Sequence, residues 1–159
     1  MSRHNIHATG VVLDGIGVML RGASGAGKSL LALELMEEWE ARGRRALLVS
    51  DDRIEIEATS AGLVMHAPKT IAGLIELRGR GIVSRPFVNE AALHLIVDLV
   101  DGIERMVEED QLLVTLYGVT LPRCPVPRGG KIDSRHQMLL IREALRALAP
   151  VKKARQKTT

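Results

Sequence analysis

Hydrophobic residues occur along this chain in short runs separated by glycine and polar residues, a pattern typical of β-strands joined by tight turns. The first two runs, residues 11–13 and 18–20, flank the pair Asp14-Gly15. Because Asp-Gly is a favoured two-residue connection between strands, this spacing predicts a β-hairpin. The second strand of the hairpin leads directly into a glycine-rich segment, residues 22–29.

The hydrophobic pattern changes to a helical period after the glycine-rich segment. From Ser29 onward, apolar residues recur at intervals of three and four and share one helix face: Ala32, Leu35, Met36 and Trp39. We predict that this helix ends near Gly43 and that a short buried strand follows over residues 46–50. Strand, glycine-rich loop, helix and strand form a βαβ unit, in which we expect the strand 46–50 to pair with the strand before the loop.

The rest of the pattern predicts a second hairpin, a further strand and a second helix. Residues 53–59 and 62–67 form the hairpin, whereas residues 93–100 form the strand. Glycines interrupt residues 71–83, which receive no assignment, and the Pro- and Gly-rich residues 124–131 predict a loop. The helix begins at about Ser134 and carries three large apolar side chains on one side: Ile141, Leu145 and Leu148.

Together these elements predict an α/β fold with a central mixed sheet flanked by helices. The length of 159 residues fits one domain, which we assign to residues 1–150. For the basic residues 151–159 we expect a flexible tail.

Composition narrows the classes of function. Aromatic residues make up 2% of the chain and the net charge is +3, which disfavours nucleic-acid binding because stacking surfaces for bases are scarce. No apolar run approaches the ~20 residues that a membrane span needs, so we expect no membrane association. The single cysteine, Cys124, cannot form an intramolecular disulfide, which fits a reducing cytoplasm.

Residues 22–29 satisfy the phosphate-binding pattern G-x-x-x-x-G-K-[ST] between a predicted strand and a predicted helix. Glycines let successive backbone N–H groups curl around phosphate oxygens, and the helix start adds its positive dipole end. The pattern assigns the β- and γ-phosphates to Lys28 and Mg²⁺ to Ser29. The nucleotide-binding residues are therefore Gly22, Ala23, Ser24, Gly25, Ala26, Gly27, Lys28 and Ser29.

Phosphoryl transfer also needs a carboxylate that orients the metal ion or accepts a proton. Asp51 and Asp52 follow the strand 46–50, at the strand end where ligands collect in α/β sheets. Asp98 is a second candidate, either as a metal-orienting carboxylate or as an outward-facing polar residue on a half-buried strand. No guanine-recognition N-K-x-D motif is visible, which favours a kinase over a switch GTPase.

The combination of residues 22–29 with Ser50-Asp51-Asp52 and the segment 75–83 (IELRGRGIV) resembles the bacterial HPr kinase/phosphorylases. The resemblance covers about residues 6 to 131, which is the catalytic domain only, and is greatest to short forms that lack the N-terminal domain. It implies transfer of phosphate from ATP to a serine of HPr, a small phosphocarrier protein, and the reverse reaction with inorganic phosphate. It also implies a homo-oligomer, often a hexamer.

The same resemblance implies roles for individual residues. Asp52, with Asp51 beside it, is the base for phosphorylation and the acid for the reverse reaction, and Glu76 is a second Mg²⁺ contact. Arg78 shapes the phosphate site and His7 lies near the transferred group. Two further arginines match family positions more loosely. Arg105 is one of them. Arg128, together with Lys131, lies in a loop that the family uses for dephosphorylation.

Several alternatives stay open from the sequence. His7 fits an ordinary surface histidine, and Glu76 and Arg78 fit a pair on one face of a strand. A nucleotide-dependent sensor without efficient transfer is the second hypothesis for the function, because the loop 125–131 departs from the family pattern. A small-molecule kinase on the same scaffold is the third.

Overall fold

The computed structural model describes the backbone of residues 2–157 and the side chains of residues 2–148. Within these ranges, two α-helices and three β-sheets form the fold. The strands are β1 (Arg3–Ile6), β2 (Ala8–Leu13), β3 (Ile16–Arg21), β4 (Ala46–Ser50), β5 (Ile54–Thr59), β6 (Gly62–His66), β7 (Leu74–Leu77), β8 (Gly81–Ser84), β9 (Glu90–Ala92), β10 (Leu95–Val100), β11 (Leu113–Leu116) and β12 (Val119–Pro127). The helices are α1 (Lys28–Ala41) and α2 (Ser134–Lys157).

A six-stranded mixed sheet with the order β11-β12-β10-β3-β2-β4 is the centre of the fold. β10 is parallel to both β3 and β12, whereas β2 is antiparallel to β3 and β4. A second sheet has the order β1-β5-β6-β9, and β7 and β8 form a separate hairpin. The α/β class and the mixed central sheet are therefore confirmed.

Two apolar cores lie on opposite faces of the central sheet. One face packs against the helices and contributes Val11, Val18, Leu20 and Val97 to a core shared with the buried side of α1. The other face contributes Ala8, Met19, Val49 and Ile96 to a core shared with β5 and β6. Because successive strand residues point to opposite faces, neighbours such as Val18 and Met19 belong to different cores. The fold therefore has three layers: the helices, the central six-stranded sheet, and the four-stranded sheet that contains β5 and β6.

The first predicted hairpin is confirmed. β2 and β3 pair from Ala8↔Arg21 to Leu13↔Ile16, with Asp14 and Gly15 as the turn. Both turn residues have left-handed φ values, 52° and 81°, as this type of two-residue connection requires. α1 is also confirmed, as is the hairpin of β5 and β6.

The expected pairing of the strand 46–50 with the strand before the glycine-rich loop is wrong. β4 pairs with β2, which lies between β4 and β3 in the sheet. In the sheet, β2 occupies one side of β3 and β10 the other, so β4 lies on the outer edge of β2. β3 and β4 still run in the same direction, because each is antiparallel to β2.

The predicted loop 124–131 is wrong over its first half, because β12 continues to Pro127. β11 pairs only with Val119–Pro122, so the following residues have β10 on one side and no strand on the other. Proline is tolerated beside such an open edge because its missing N–H is not needed there. The actual loop begins at Arg128.

The unassigned segment 71–83 contains a hairpin in which β7 and β8 pair from Leu74↔Ser84 to Leu77↔Gly81. α2 begins at the predicted residue, Ser134, and continues to Lys157, which includes much of the expected tail 151–159. Lysine, arginine, alanine and glutamine are common there, and all favour a helix. Residues 158 and 159 lie outside the described residues. In the part of the chain that the structure describes, no helix is both long and apolar enough to cross a bilayer.

Candidate functional site

The glycine-rich loop connects β3 to α1 and has the backbone geometry of a phosphate cradle. Gly25 and Gly27 have φ values of 81° and 97°, which side-chain-bearing residues rarely adopt, and Gly27 precedes the first residue of α1. A Cβ at Gly22 would lie 3.0 Å from Cβ of Leu99. The loop therefore needs glycine at Gly25 and Gly27 for backbone conformation and at Gly22 for close packing against β10.

Lys28 lies in the base of this loop with its side chain 7% exposed. Its ammonium group donates hydrogen bonds to the carbonyl oxygens of Gly22, at 2.9 Å, and Ala23, at 3.3 Å. Nζ also lies 3.8 Å from Oδ1 of Asp52. The positive charge is thus held between the loop backbone and a carboxylate, where an incoming phosphate would meet it.

Asp51 contacts three parts of the chain. Its Oδ1 accepts hydrogen bonds from the hydroxyl groups of Ser29, at 2.5 Å, and Thr9, at 3.1 Å. Its Oδ2 accepts one from the backbone N–H of Glu76, at 3.0 Å. This carboxylate therefore joins the start of α1, the central sheet and the β7–β8 hairpin.

Asp52 has a different environment from its neighbour. It adopts a left-handed backbone conformation, φ 62°, and its N–H donates to the Thr9 hydroxyl at 3.1 Å. Its side chain is 60% exposed, with Oδ1 near both Nζ of Lys28 and, at 4.0 Å, Nδ1 of His7. Asp51 faces inward toward Ser29, and Asp52 faces the opening of the site.

These groups fit a magnesium nucleotide. A serine hydroxyl and a carboxylate are hard oxygen ligands, which Mg²⁺ prefers, and Lys28 and the loop N–H groups suit phosphate. Among the described residues there is no group of three or more His, Cys, Asp or Glu able to hold a metal by itself. Mg²⁺ is usually bound by one or two carboxylates together with substrate phosphates and water.

Glu76 and Arg78 lie on the β7–β8 hairpin, which is attached to the site through Asp51. Glu76 is on β7 opposite Ile82, and its side chain is exposed. The interpretation that both side chains lie on one strand face is wrong for Arg78, because β7 ends at Leu77 and Arg78 is in the exposed turn. β7 is only four residues long, and the turn that follows it, residues 78–80, is exposed and carries Arg78.

The loop that begins at Arg128 lies against the glycine-rich loop. Arg128 donates its backbone N–H to Val100, and the N–H of Gly129 points to the Ala26 carbonyl at 3.4 Å. The guanidinium Nε of Arg128 lies 2.7 Å from Oδ1 of Asp101, an ion pair whose N–H direction is not aligned for a hydrogen bond. The structure thus brings Arg128 to the edge of the phosphate cradle.

Arg105 lies further along the exposed segment that follows β10. It lines a cavity of about 630 Å³ together with Arg123, Gln111 and His136. Among the described side chains, no hydrogen bond or ion pair joins Arg105 to the glycine-rich loop.

Asp98 fits neither of the two sequence interpretations. It is 13% exposed and accepts hydrogen bonds from Nε and Nη2 of Arg21, at 2.7 and 2.8 Å, and from Nε of Arg123 at 2.5 Å. Burial alone would raise the pKa of this carboxyl, but the hydrogen bonds from Arg21 and then Arg123 outweigh burial and hold the pKa below its ordinary value. The two strands beside β10 each present an arginine to Asp98, Arg21 from β3 and Arg123 from β12. Asp98 therefore has a structural role, in which it holds these neighbouring strands together.

The sequence interpretation missed Thr9, which contacts both Asp51 and Asp52. A threonine with flanking apolar residues on a predicted strand gives little indication of a functional role, since threonine is common in strands. The sequence contains one indication of its role. Thr9 follows His7 by two residues and lies on the first strand of the hairpin that leads into the glycine-rich loop.

A glycine-rich loop that caps α1, with its serine bonded to a carboxylate across the sheet, defines a P-loop domain of the kinase type. A family model, the HPr serine kinase C-terminal domain, matches residues 1–128. The chain therefore belongs to the HPr serine kinase C-terminal domain family.

Individual relatives agree with this family. The HPr kinase/phosphorylase of Exiguobacterium sibiricum is 52% identical over 77 residues, which is 46% of this chain and 23% of the relative. That of Limosilactobacillus reuteri is 34% identical over 137 residues, 79% of this chain and 41% of the relative. The chain thus spans less than half the length of these curated relatives.

A solved structure matches the whole fold. The Hpr(Ser) kinase/phosphatase from Coxiella burnetii has a TM-score of 0.73 and 25% sequence identity to this chain. The match covers 96% of this chain and 97% of that one.

Proposed function

We propose that this protein is an ATP-dependent serine protein kinase that acts on an HPr-like phosphocarrier protein. Family membership supports the reaction class. The single observation that carries the proposal is the position of Asp52, whose exposed carboxylate is 3.8 Å from the Lys28 ammonium at the opening of the phosphate cradle. A base in that position is accessible to a hydroxyl on a protein as well as to one on a small molecule.

The cofactors in this proposal are ATP and Mg²⁺. The backbone N–H groups of residues 22–29 and Lys28 bind the phosphates, and Ser29 and Asp51 hold the metal ion, with Glu76 as a further contact. When bound, Mg²⁺ neutralises charge on the β- and γ-phosphates. The chain's own contribution is to orient the phosphates and to keep Asp51 and Asp52 in different positions.

In the forward reaction, Asp52 accepts the proton of the acceptor serine hydroxyl. The serine oxygen forms a bond to the γ-phosphorus, while the bond from this phosphorus to the β–γ bridging oxygen breaks and ADP leaves. Lys28 offsets the negative charge on the transferred group. His7, 4.0 Å from Asp52, is placed to share the proton that Asp52 receives.

We propose the reverse reaction at the same site. An oxygen of inorganic phosphate forms a bond to the phosphorus of phosphoserine, the phosphorus–serine oxygen bond breaks, and Asp52 returns its proton to the serine oxygen. The product is pyrophosphate. We assign this second phosphate to cationic residues outside the glycine-rich loop: Arg78, Arg105, Arg128 and Lys131.

We further propose that the protein acts in the cytoplasm as a homo-oligomer, with a hexamer as the expected form. Large apolar side chains on the surface support an interface between copies, because exposed apolar patches commonly mark association sites. Met106 is 84% exposed, Leu139 62% and Ile103 56%. Sedimentation measurements test this point directly.

Incubation with γ-labelled ATP, Mg²⁺ and a purified HPr tests the function. We expect label on a serine of HPr, and no label with Lys28→Ala or with an HPr whose acceptor serine is replaced by alanine. Label on a metabolite in a cell extract, with none on HPr, would instead support a small-molecule kinase. Nucleotide binding without any transfer would support the sensor hypothesis.

A further inference from the structure

The Thr9 side chain connects the two acidic residues of the site. It is 0% exposed, and its hydroxyl donates to Oδ1 of Asp51 at 3.1 Å and accepts the N–H of Asp52 at 3.1 Å. A hydroxyl has one proton to donate, so these two hydrogen bonds fix its orientation. One side chain thereby holds the carboxylate of one aspartate and the backbone of the next.

The register of the sheet explains why Thr9 faces these residues. β2 pairs with β4 at Val11↔Leu48 and then at Gly10↔Ser50, so Val49 is an extra residue in β4. Continuing this antiparallel register past Ser50 puts Thr9 beside Asp51. A bulge of this kind bends its strand and re-aims the residues that follow.

The Asp52 backbone needs such an anchor. A left-handed conformation is unfavourable for residues other than glycine by about 1–2 kcal/mol, although aspartate tolerates it better than most. The hydrogen bond from its N–H to Thr9 compensates for part of that cost. It also sends the Asp52 side chain toward Lys28 and away from Ser29, to which Asp51 is bonded.

We propose that Thr9 is a positioning residue that assigns the two aspartates to different tasks, Asp51 to the metal-binding side and Asp52 to the proton-transfer side. This inference rests on the proposed kinase function and adds a determinant of its rate. Thr9 does not touch the reacting atoms in this proposal. It acts by holding the base in the orientation required for transfer, and a small displacement of a base is costly in rate.

Thr9→Val tests the proposal, because valine keeps the shape of threonine and removes the hydroxyl. We expect kcat for HPr phosphorylation to fall about 10- to 100-fold, while the KM for ATP changes by less than about threefold. Thr9→Ser restores the hydroxyl and should recover most of the rate. Nucleotide affinity and the melting temperature are measured for each variant, so that rates refer to folded protein.

Thr59→Val is the matched control. The Thr59 hydroxyl, like that of Thr9, donates one hydrogen bond and accepts one. Its partners are both backbone groups in the turn of the β5–β6 hairpin: it donates to the Gly62 carbonyl at 2.8 Å and accepts the Ala61 N–H at 3.2 Å. Because Thr59 is only partly buried, Thr59→Val should cost less stability than Thr9→Val, and it should leave kcat unchanged.

The outcomes separate the two proposals. A wild-type protein that transfers no phosphate would overturn the kinase function and the role of Thr9 with it. An active wild type in which Thr9→Val lowers only the melting temperature, with normal kcat, would overturn the role of Thr9 alone. If Thr9→Val does not fold, Thr9→Ala takes its place, and rescue by Thr9→Ser remains the deciding comparison.

Discussion

Ser29 and Asp51 are joined by a 2.5 Å hydrogen bond between Oγ and Oδ1, across the space between the start of α1 and the end of β4. The two residues are 22 positions apart in the chain. Their contact completes a hydroxyl–carboxylate pair of the kind that Mg²⁺ shares with nucleotide phosphates. The phosphate cradle and its acids are therefore one site.

Ser29→Ala should weaken Mg²⁺ binding during transfer, because it removes the hydroxyl that we propose as a metal ligand and leaves Asp51 without its shortest hydrogen bond. We expect the Mg²⁺ concentration for half-maximal rate to rise about tenfold, a change worth about 1.4 kcal/mol. A magnesium titration at saturating ATP measures it. Ser29→Thr, which keeps the hydroxyl, should stay near wild type, as should Ser60→Ala in a distant turn. An unchanged titration for Ser29→Ala would remove this residue from the metal site.

Asp52→Asn should lower kcat by about 10²–10⁴, the usual contribution of a positioned general base. ATP affinity should change little, because we assign the phosphates to the loop and Lys28. Equilibrium nucleotide binding and single-turnover transfer measure the two quantities separately. Asp14→Asn is a suitable control, since Asp14 also has a left-handed backbone, φ 52°, in a turn away from the site. Loss of nucleotide binding with Asp52→Asn would make Asp52 a metal ligand instead of a base.

Asp98→Asn should destabilise the fold by about 1–3 kcal/mol, because it leaves two partly buried arginines, Arg21 and Arg123, without their anion. Urea unfolding gives the free energy of unfolding for each protein. Glu143→Gln, which breaks the exposed pair of Glu143 with Arg146, should change the stability by less than about 1 kcal/mol. Equal effects of the two substitutions would contradict the structural role of Asp98.

The same carboxylate makes stability depend on pH in a defined direction. Since the hydrogen bonds of Arg21 and Arg123 lower the folded-state pKa of Asp98, its contribution is fully present above the ordinary value of about 3.9 and is lost as pH falls through the lower, folded value. The difference in unfolding free energy between wild type and Asp98→Asn should therefore be constant from about pH 5 to 7 and shrink below about pH 4. A difference that grows as the pH falls would show that the sign is wrong.

Cys124 should resist thiol reagents in the folded protein. Burial raises the pKa of its thiol to about 12, so the reactive thiolate is scarce at neutral pH. The side chain also lies in the core between β12 and α2, with Sγ 3.5 Å from the Leu140 carbonyl oxygen. Reaction with an aromatic disulfide should be slow in buffer and rapid in urea. Fast labelling of the native protein would indicate that this core opens readily.

The sequence predicts local features of this fold well, because they depend on neighbouring residues. The Asp14-Gly15 turn, α1 and the glycine-rich loop each follow from a pattern of fewer than about 20 residues. The proximity of the two aspartates to the start of α1 also follows, since the strand that precedes them is joined to this helix by a short connection.

Features that depend on pairing between distant segments were not predictable in the same way. The position of β2 between β3 and β4 depends on β10, a later strand that takes the other side of β3. The extension of β12 through its prolines depends on where β11 stops, and the burial of Asp98 depends on arginines from two neighbouring strands. Thr9 belongs to the same group, because its importance comes from a bulge in a strand 40 residues away.

β3 lies between β10 and β2, so the strand that ends in the phosphate-binding loop has a hydrogen-bonded neighbour on both sides. Its amide protons are released only when the centre of the sheet separates, which makes this strand among the slowest to exchange with solvent. The β7–β8 hairpin and the exposed residues 101–110 lie outside this central part of the sheet. The phosphate-binding loop is therefore attached to the most firmly held part of the sheet.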